Sequence, residues 1–475
     1  MIQTTIRSAM FKSSALIMPL LTAVSMSACK DDNGDDISVD TNVDTGTASD
    51  TDTGQSAVWS YMKVQEASAG IQLDLALGPN DLLGLTWYDN APYTDGTCTE
   101  VPIDPPPRLR QSFYYGEKGN GAAAWTVDKV DSPLIKQNTT GLSLAYTSEG
   151  NPSIAFTGGV PEDQWCAGND AVLAIRQGGE WQYETAGAES GDSNSGVIGS
   201  DEGMVVGLWP ALTYSPSGEP AIVHKDAHFG GLQSIDNNKA DAEFAMRRGG
   251  AWVHEYIDVN EGAGQPNALV FDGETPIAIY GIPVEATLNS RKGVWAARRA
   301  ANGTWDEKVQ LHEGAIYKEI AAAINPVTGA LVVAFYSAKD KAVKVRRLTD
   351  MTQFAEPSAW TSEVTGNAEF DEGQYVSLAF TPQGKEVLAY HRCKKNSSTA
   401  ASCDVNDEAA ILAVRTDTTW KREVIAQSNL GSCGEYTSAV VDSTGTVHVA
   451  YRCTENDGGE SFFKLFVASK EIEAQ

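Results

Sequence analysis

Basic charge is scarce. The 475 residues carry 35 Lys and Arg against 63 Asp and Glu, a net charge of −28. A polyanion such as DNA or RNA meets long-range repulsion from such a chain, and no local basic stripe offsets it. Past the first thirty residues there is no apolar run of membrane length, which excludes a series of spanning helices. No Gly-rich phosphate loop leads from a strand into a helix and no Gly-x-Ser-x-Gly elbow occurs, so nucleotide binding and α/β-hydrolase chemistry are disfavoured. Cysteines number seven, with no Cys-x2-Cys pair to suggest a thiolate metal site. No cofactor is expected. What is present is apolar material, 42% of the chain, enough for one large core or two ordinary ones, together with 44 Gly and 19 Pro as turn formers.

Residues 1–28 read as an export signal: Arg7 and Lys12, an apolar stretch from Ala15 to Val24, then small residues. The ending Met26-Ser27-Ala28-Cys29 resembles a bacterial lipobox, which implies lipidation of Cys29 and a place in the cell envelope, with Lys30 favouring the outer membrane over the inner. Residues 29–56 hold eight Asp and no aromatic residue, too little apolar surface to order themselves. They read as a solvated tether spanning on the order of 30 Å. Without Gly and Glu at EF-hand offsets they are not read as a calcium loop.

From residue 57 onward one unit recurs. Strand-turn-strand hairpins begin at Leu73, Leu142, Ala211, Ala268, Ala321, Ser377 and Ser438. Six are followed by another strand, a short turn and a Trp opening a polar-apolar strand: Trp125, Trp181, Trp252, Trp305, Trp360 and Trp420. The seventh Trp, Trp59, stands before the first hairpin, while the last hairpin has no Trp strand of its own. The count closes only on a circle. Four short strands per unit, alternating with period two, predict an all-β seven-bladed propeller over residues 57–475, its ring closed by the segment at Trp59. The hairpins, typified by SLAFTPQGKEVLAY from Ser377, resemble those of bacterial seven-bladed β-propellers of the sialidase-like superfamily. The Asp-box common in that group, Ser-x-Asp-x-Gly-x-x-Trp, has no clean match here.

With strands labelled A to D from the axis outward, the A–B turns are uniformly tight, as at Pro216-Ser217-Gly218 and Pro382-Gln383-Gly384. The B–C and D–A connections swell, as from Asp89 to Arg110 and from Arg392 to Glu408, which marks their face as the binding face. Six cysteines lie there, and an even number in an exported chain reads as disulfides. Cys433 and Cys453 stand ten residues either side of the turn at Ser443, Cys393 and Cys403 bracket one loop, and Cys98 and Cys166 remain.

The ends of the B strands place Tyr88, Asp89, His224, Lys225, Asp226, Tyr280, Tyr336, His391, Arg392 and Arg452 toward the same mouth, as candidate ligand-binding residues for a sugar or peptide. His224 and His228, four apart, would align on a helix but fall on a strand, so a metal pair is not expected there. Resemblance to sialidases implies a three-arginine clamp, of which Arg392 and Arg452 are two, but the Arg-Ile-Pro motif that opens their propellers is missing. The expected function is a lipid-anchored binding or interaction module for a protein, peptide or glycan. A carbohydrate-active hydrolase or lyase in the same funnel remains the alternative.

Overall fold

The computed structural model describes residues 58–65, 69–89, 113–130, 141–158, 170–188, 203, 205–228, 240–259, 262–283, 291–314, 319–427, 432–457 and 460–472. The signal segment, Cys29 and the tether lie outside the described residues.

Seven four-stranded antiparallel sheets form the blades. The first comprises β2 (Ala69–Leu77), β3 (Leu83–Asp89), β4 (Phe113–Lys118) and β5 (Thr126–Lys129), and the second β6 (Leu142–Tyr146), β7 (Pro152–Gly158), β8 (Asp170–Gln177) and β9 (Glu180–Gly187). The third holds β10 (Val205–Tyr214), β11 (Pro220–Ala227), β12 (Ala240–Arg248) and β13 (Ala251–Asp258), and the fourth β14 (Asn267–Asp272), β15 (Thr275–Ile282), β16 (Gly293–Arg298) and β17 (Glu307–Glu313). The fifth holds β18 (Ile320–Ile324), β19 (Leu331–Ser337), β20 (Ala342–Leu348) and β21 (Thr361–Thr365), and the sixth β22 (Phe370–Phe380), β23 (Glu386–Lys395), β24 (Ala409–Thr416) and β25 (Thr419–Gln427). In the seventh, β26 (Cys433–Val441), β27 (Thr446–Asp457) and β28 (Glu460–Glu471) are completed on the outside by β1 (Ser60–Gln65), in the order β26-β27-β28-β1.

Closure is therefore as the repeat count requires. Ser60 pairs with Ser469 and Met62 with Val467. Trp59 packs against the hydrophobic cluster between blades six and seven, with the Lys470 ammonium 5.7 Å from its ring, and Tyr61 donates its hydroxyl to the Ile425 carbonyl of blade six at 2.8 Å. The innermost strands then neighbour one another all the way round, β26 beside β2 included.

The alternation expected in every strand holds only at the rim. The D strands β9 and β25 do alternate, whereas the B strands β7, β11 and β19 are buried at every position. Each blade is covered on both faces by its neighbours, so its middle strands have no wet side. The recurring Trp fills the space between blades: Trp181 meets Tyr115 edge-on at 5.5 Å and Trp305 meets Phe244 at 5.1 Å. The tight turns are capped by one side chain at one position. Thr147, Ser215, Asn325, Thr381 and Asp442 each accept from a backbone N–H two to four residues on, the local bonding that makes these residue types turn formers.

Around the axis the same position of four inner strands carries a side chain that bonds to the next strand. Ser377 Oγ accepts from Ala439 N at 2.9 Å, Ser438 Oγ from Leu75 N at 3.0 Å, Asp74 Oδ2 from Leu144 N at 2.8 Å and Ser143 Oγ from Leu212 N at 2.9 Å. Alanine stands there in the other three blades, as Ala211, Ala268 and Ala321. Burial pushes the Asp74 carboxyl up to about 6, against the pull of the donors from Leu144 and Ser438. A carboxyl raised on folding favours the protonated chain. Its contribution is complete below about pH 4 and is lost as pH climbs through 6. The stability difference between wild type and Asp74→Asn, from urea unfolding, is expected to shift in favour of the variant by about 2–3 kcal/mol from pH 4 to pH 7.5. A difference independent of pH would contradict this assignment.

Candidate functional site

All the A–B and C–D turns lie at one end of the ring. At the other end the B strands finish and the C strands begin, as at Asp89 and Phe113, Gly158 and Asp170, and Ala227 and Ala240; the long stretches between them, His228 apart, lie outside the described residues. Two disulfides stand at this end. Cys433 and Cys453 are register partners across β26 and β27, and Cys393 at the end of β23 joins Cys403 in the connection that follows. Cys98 and Cys166 lie outside the described residues.

The strongest feature of this end was not among the sequence candidates. Four inner strands start with a register shift at a Gly-x-bulky triplet: Gly70-Ile71-Gln72, Gly207-Leu208-Trp209, Gly373-Gln374-Tyr375 and Gly434-Glu435-Tyr436. The glycine has φ between 81° and 117°, and the third residue, not a glycine, has φ between 49° and 54°. Left-handed backbone at a bulky residue costs about 1–2 kcal/mol. The strain recurs in four blades and is held by the neighbours: Asn267 Nδ2 donates to the Trp209 carbonyl at 2.9 Å, and the Thr437 hydroxyl donates to that of Tyr375. Glycine is required twice over, because a Cβ on Gly434 would lie 2.4 Å from Ala410 N and one on Gly207 2.5 Å from the Ala171 Cα. The result is a set of side chains at this end of the axis, Trp209 and Tyr436 half-buried and Tyr375 buried. Tyr375 and Tyr436 pack at 4.5 Å between centroids, and the Arg452 guanidinium lies 4.9 Å from the Tyr436 ring and 5.2 Å from Phe463 while pairing with Glu435. On blade three Lys225 lies 5.5 Å from the Trp209 ring and donates to Gln265 at 3.2 Å.

Of the sequence candidates, Arg452 thus joins the mouth cluster, whereas Lys225 is wholly buried beneath Trp209. Tyr88 is buried against Phe113 and reaches the Gly141 carbonyl at 3.5 Å. Asp89 ends β3 opposite Ala69. His224 is buried, its Nδ1 accepting from Gly207 N at 3.3 Å and its Nε2 3.7 Å from Glu243, which also meets His254 at 2.7 Å. Burial, reinforced by His254, pulls His224 down to about 3, so it is neutral. Asp226 is buried near His228 and Asp241. Tyr280 donates to Asp258, which Arg291 grips with two nitrogens. Tyr336 donates to Asp371 at 2.7 Å. His391 packs by Tyr375, 3.9 Å from Glu408, whose carboxyl burial raises to about 7. Arg392 lies over Phe370 at 4.4 Å and donates to the Asp407 carbonyl and to Gln427. Arg392 and Arg452 therefore face different partners. A cleft of about 280 Å3 in blade six adds Glu372, Trp420 and Arg422 around Arg392 and Phe370.

No family model and no curated protein matches the chain. Solved structures do. A fungal alcohol oxidase in complex with copper is similar at 10% identity over 86% of this chain and 76% of that one, with a TM-score of 0.49. The sialidase NanB from Streptococcus pneumoniae, as its K499G mutant, is similar at 10% identity over 86% and 70%, TM-score 0.41, and the polysaccharide lyase Uly1 at 8% over 84% and 90%, TM-score 0.46. Such likeness concerns architecture, and activities do not travel with it.

The triplets give a direct check. Gly434→Ala is expected to lower the melting temperature by several degrees, because its Cβ meets backbone under left-handed strain, whereas Gly119→Ala, with no atom within 4 Å of its Cβ, leaves it unchanged. Equal melting of the two variants would contradict the close-approach argument.

Proposed function

We propose that the chain is a non-enzymatic binding module whose loop-bearing mouth takes a polar ligand with ring-shaped faces, a glycan or a peptide. It is exported through residues 1–28, anchored by lipid on Cys29 and held away from the envelope membrane by residues 29–56. The observation that carries the reading is the repeated Gly-x-bulky strain. Backbone strain is retained where surrounding structure imposes it, and it clusters at sites that must hold side chains in one geometry. Here the strained residues Gln72, Trp209 and Tyr436 are half-buried at the axial end beside Arg452, with Tyr375 buried against Tyr436 and Lys225 buried against Trp209 as their support. Aromatic faces stack on sugar or side-chain rings, while the Arg452 guanidinium supplies directed donors. Two disulfides brace the same end.

Arrays of immobilised glycans and peptides probed with the full chain test the proposal. Tyr436→Ala and Trp209→Ala are each expected to cut capture at least tenfold, while Gln383→Ala, in the tight turn at the other end, leaves it unchanged. Capture that survives both mouth substitutions, or turnover of chromogenic glycosides by the wild type, would contradict it.

A further inference from the structure

Blade three holds a cluster that neither the strand pairing nor the mouth accounts for. Asp226 of β11 and Asp241 of β12 are register partners, two carboxylates directly opposite one another. Both are wholly buried, as is His228 just past β11. Like charges facing across a ladder repel, and without water the repulsion grows, so such a pair calls for a proton or a cation between its members. Lys225 does not supply one. Its ammonium is turned toward Gln265 and Trp209. The group facing both carboxylates is the His228 ring: Nε2 lies 3.1 Å from Asp226 Oδ2 and 3.2 Å from Asp241 Oδ2. The Nε2 hydrogen bond is made with Asp241 Oδ2, which leaves Asp226 Oδ2 with no aligned hydrogen bond from the described residues. Gly203 N holds the other oxygen of Asp226 at 2.7 Å, which turns Oδ2 toward the ring.

The geometry points to a divalent transition-metal site, zinc foremost, held by Asp226, His228 and Asp241. Ligands about 2.0–2.2 Å from a tetrahedral Zn2+ stand roughly 3.3–3.6 Å apart, close to the separations here, and the donor set of two carboxylates and one imidazole suits that ion. The three potential ligand atoms converge within 4.8 Å. Zn2+ with a neutral imidazole balances both carboxylates. The fourth position remains for water or another ligand. The site's place in the fold gives it a structural role. It ties the end of a B strand to the start of the next C strand, the root of a connection on the loop-bearing face, much as Cys393–Cys403 braces the corresponding connection of blade six. From the sequence no metal pair of His224 with His228 is expected, and His224 indeed faces Glu243; the ligands proposed beside His228 are Asp226 and, across the ladder, Asp241.

The test uses the full chain, stripped with EDTA and titrated with ZnCl2 by calorimetry. One equivalent of Zn2+ per chain and a higher melting temperature on loading are expected. Asp226→Asn and His228→Gln should each weaken binding by about tenfold or more, and Glu149→Gln, exposed at the opposite end, should not. Uptake that is equal in Asp226→Asn and wild type, or absent from wild type, overturns the site. Since loss of a buried ligand can unfold the blade, the wild-type chain is also titrated with CoCl2. The visible absorption of a four- or five-coordinate Co2+ is expected, and the weak spectrum of the aquo ion overturns the proposal.

Discussion

The pairing of Ser60–Gln65 with Glu460–Glu471 is the contact on which the ring depends. A four-stranded blade is stable only between two neighbours, because its middle strands are apolar on both faces. Without β1, the long strand β28 would present an open edge and the hydrophobic cluster between blades six and seven would lose Trp59. Joining the first strand to the last three spreads one cooperative sheet across both ends of the chain. Nothing in the local propensity of either segment demands this. It follows from the geometry of a closed circle, which leaves one vacancy to fill.

Closure also separates the two ends of the ring into different physical regimes. At one end the turns are short, capped by their own side chains and bonded to their neighbours, as where Ser443 N and Oγ both donate to Asp81. At the other, inner strands enter through strained triplets and carry bulky side chains to the axis. The hydrogen-bonded girdle of Ser377, Ser438, Asp74 and Ser143 lies between them. A rigid ring can hold left-handed backbone at Trp209, Tyr375 and Tyr436 because each is clasped by a residue of the next blade or by its own packing, and the strain is distributed over many contacts.

The blades were legible because their signal is repeated. A turn former, an apolar pair of strands and a Trp recur often enough to outweigh any single ambiguity, and the leftover Trp59 announced the closure. The Cys433–Cys453 bridge was legible for the same reason, since equal distances from a known turn define register. The mouth was less so. Projecting residues from the ends of the B strands assumes straight ladders, but the triplets insert extra residues at the start of the neighbouring A strands and cover the B-strand ends. Tyr88, His224 and His391 are consequently buried instead of lining a funnel. The triplets themselves were visible in the sequence as Gly-x-Trp and Gly-x-Tyr two residues before a hairpin, but a glycine there reads as an ordinary loop residue until its contact with the preceding blade is known. The Asp226, His228 and Asp241 cluster needs the B–C register, which residue spacing alone does not provide.

Hydrogen exchange followed by mass spectrometry on the full chain tests ring closure most directly. The ladder-bonded amides of Ser60–Gln65, alternate ones because β1 is an edge strand, and those of Glu460–Glu471 should lose protection together in rising urea, as parts of one cooperative unit. Rapid exchange of 60–65 beside a fully protected 460–471 would contradict the closed ring and, with it, the two-ended architecture that places the binding site.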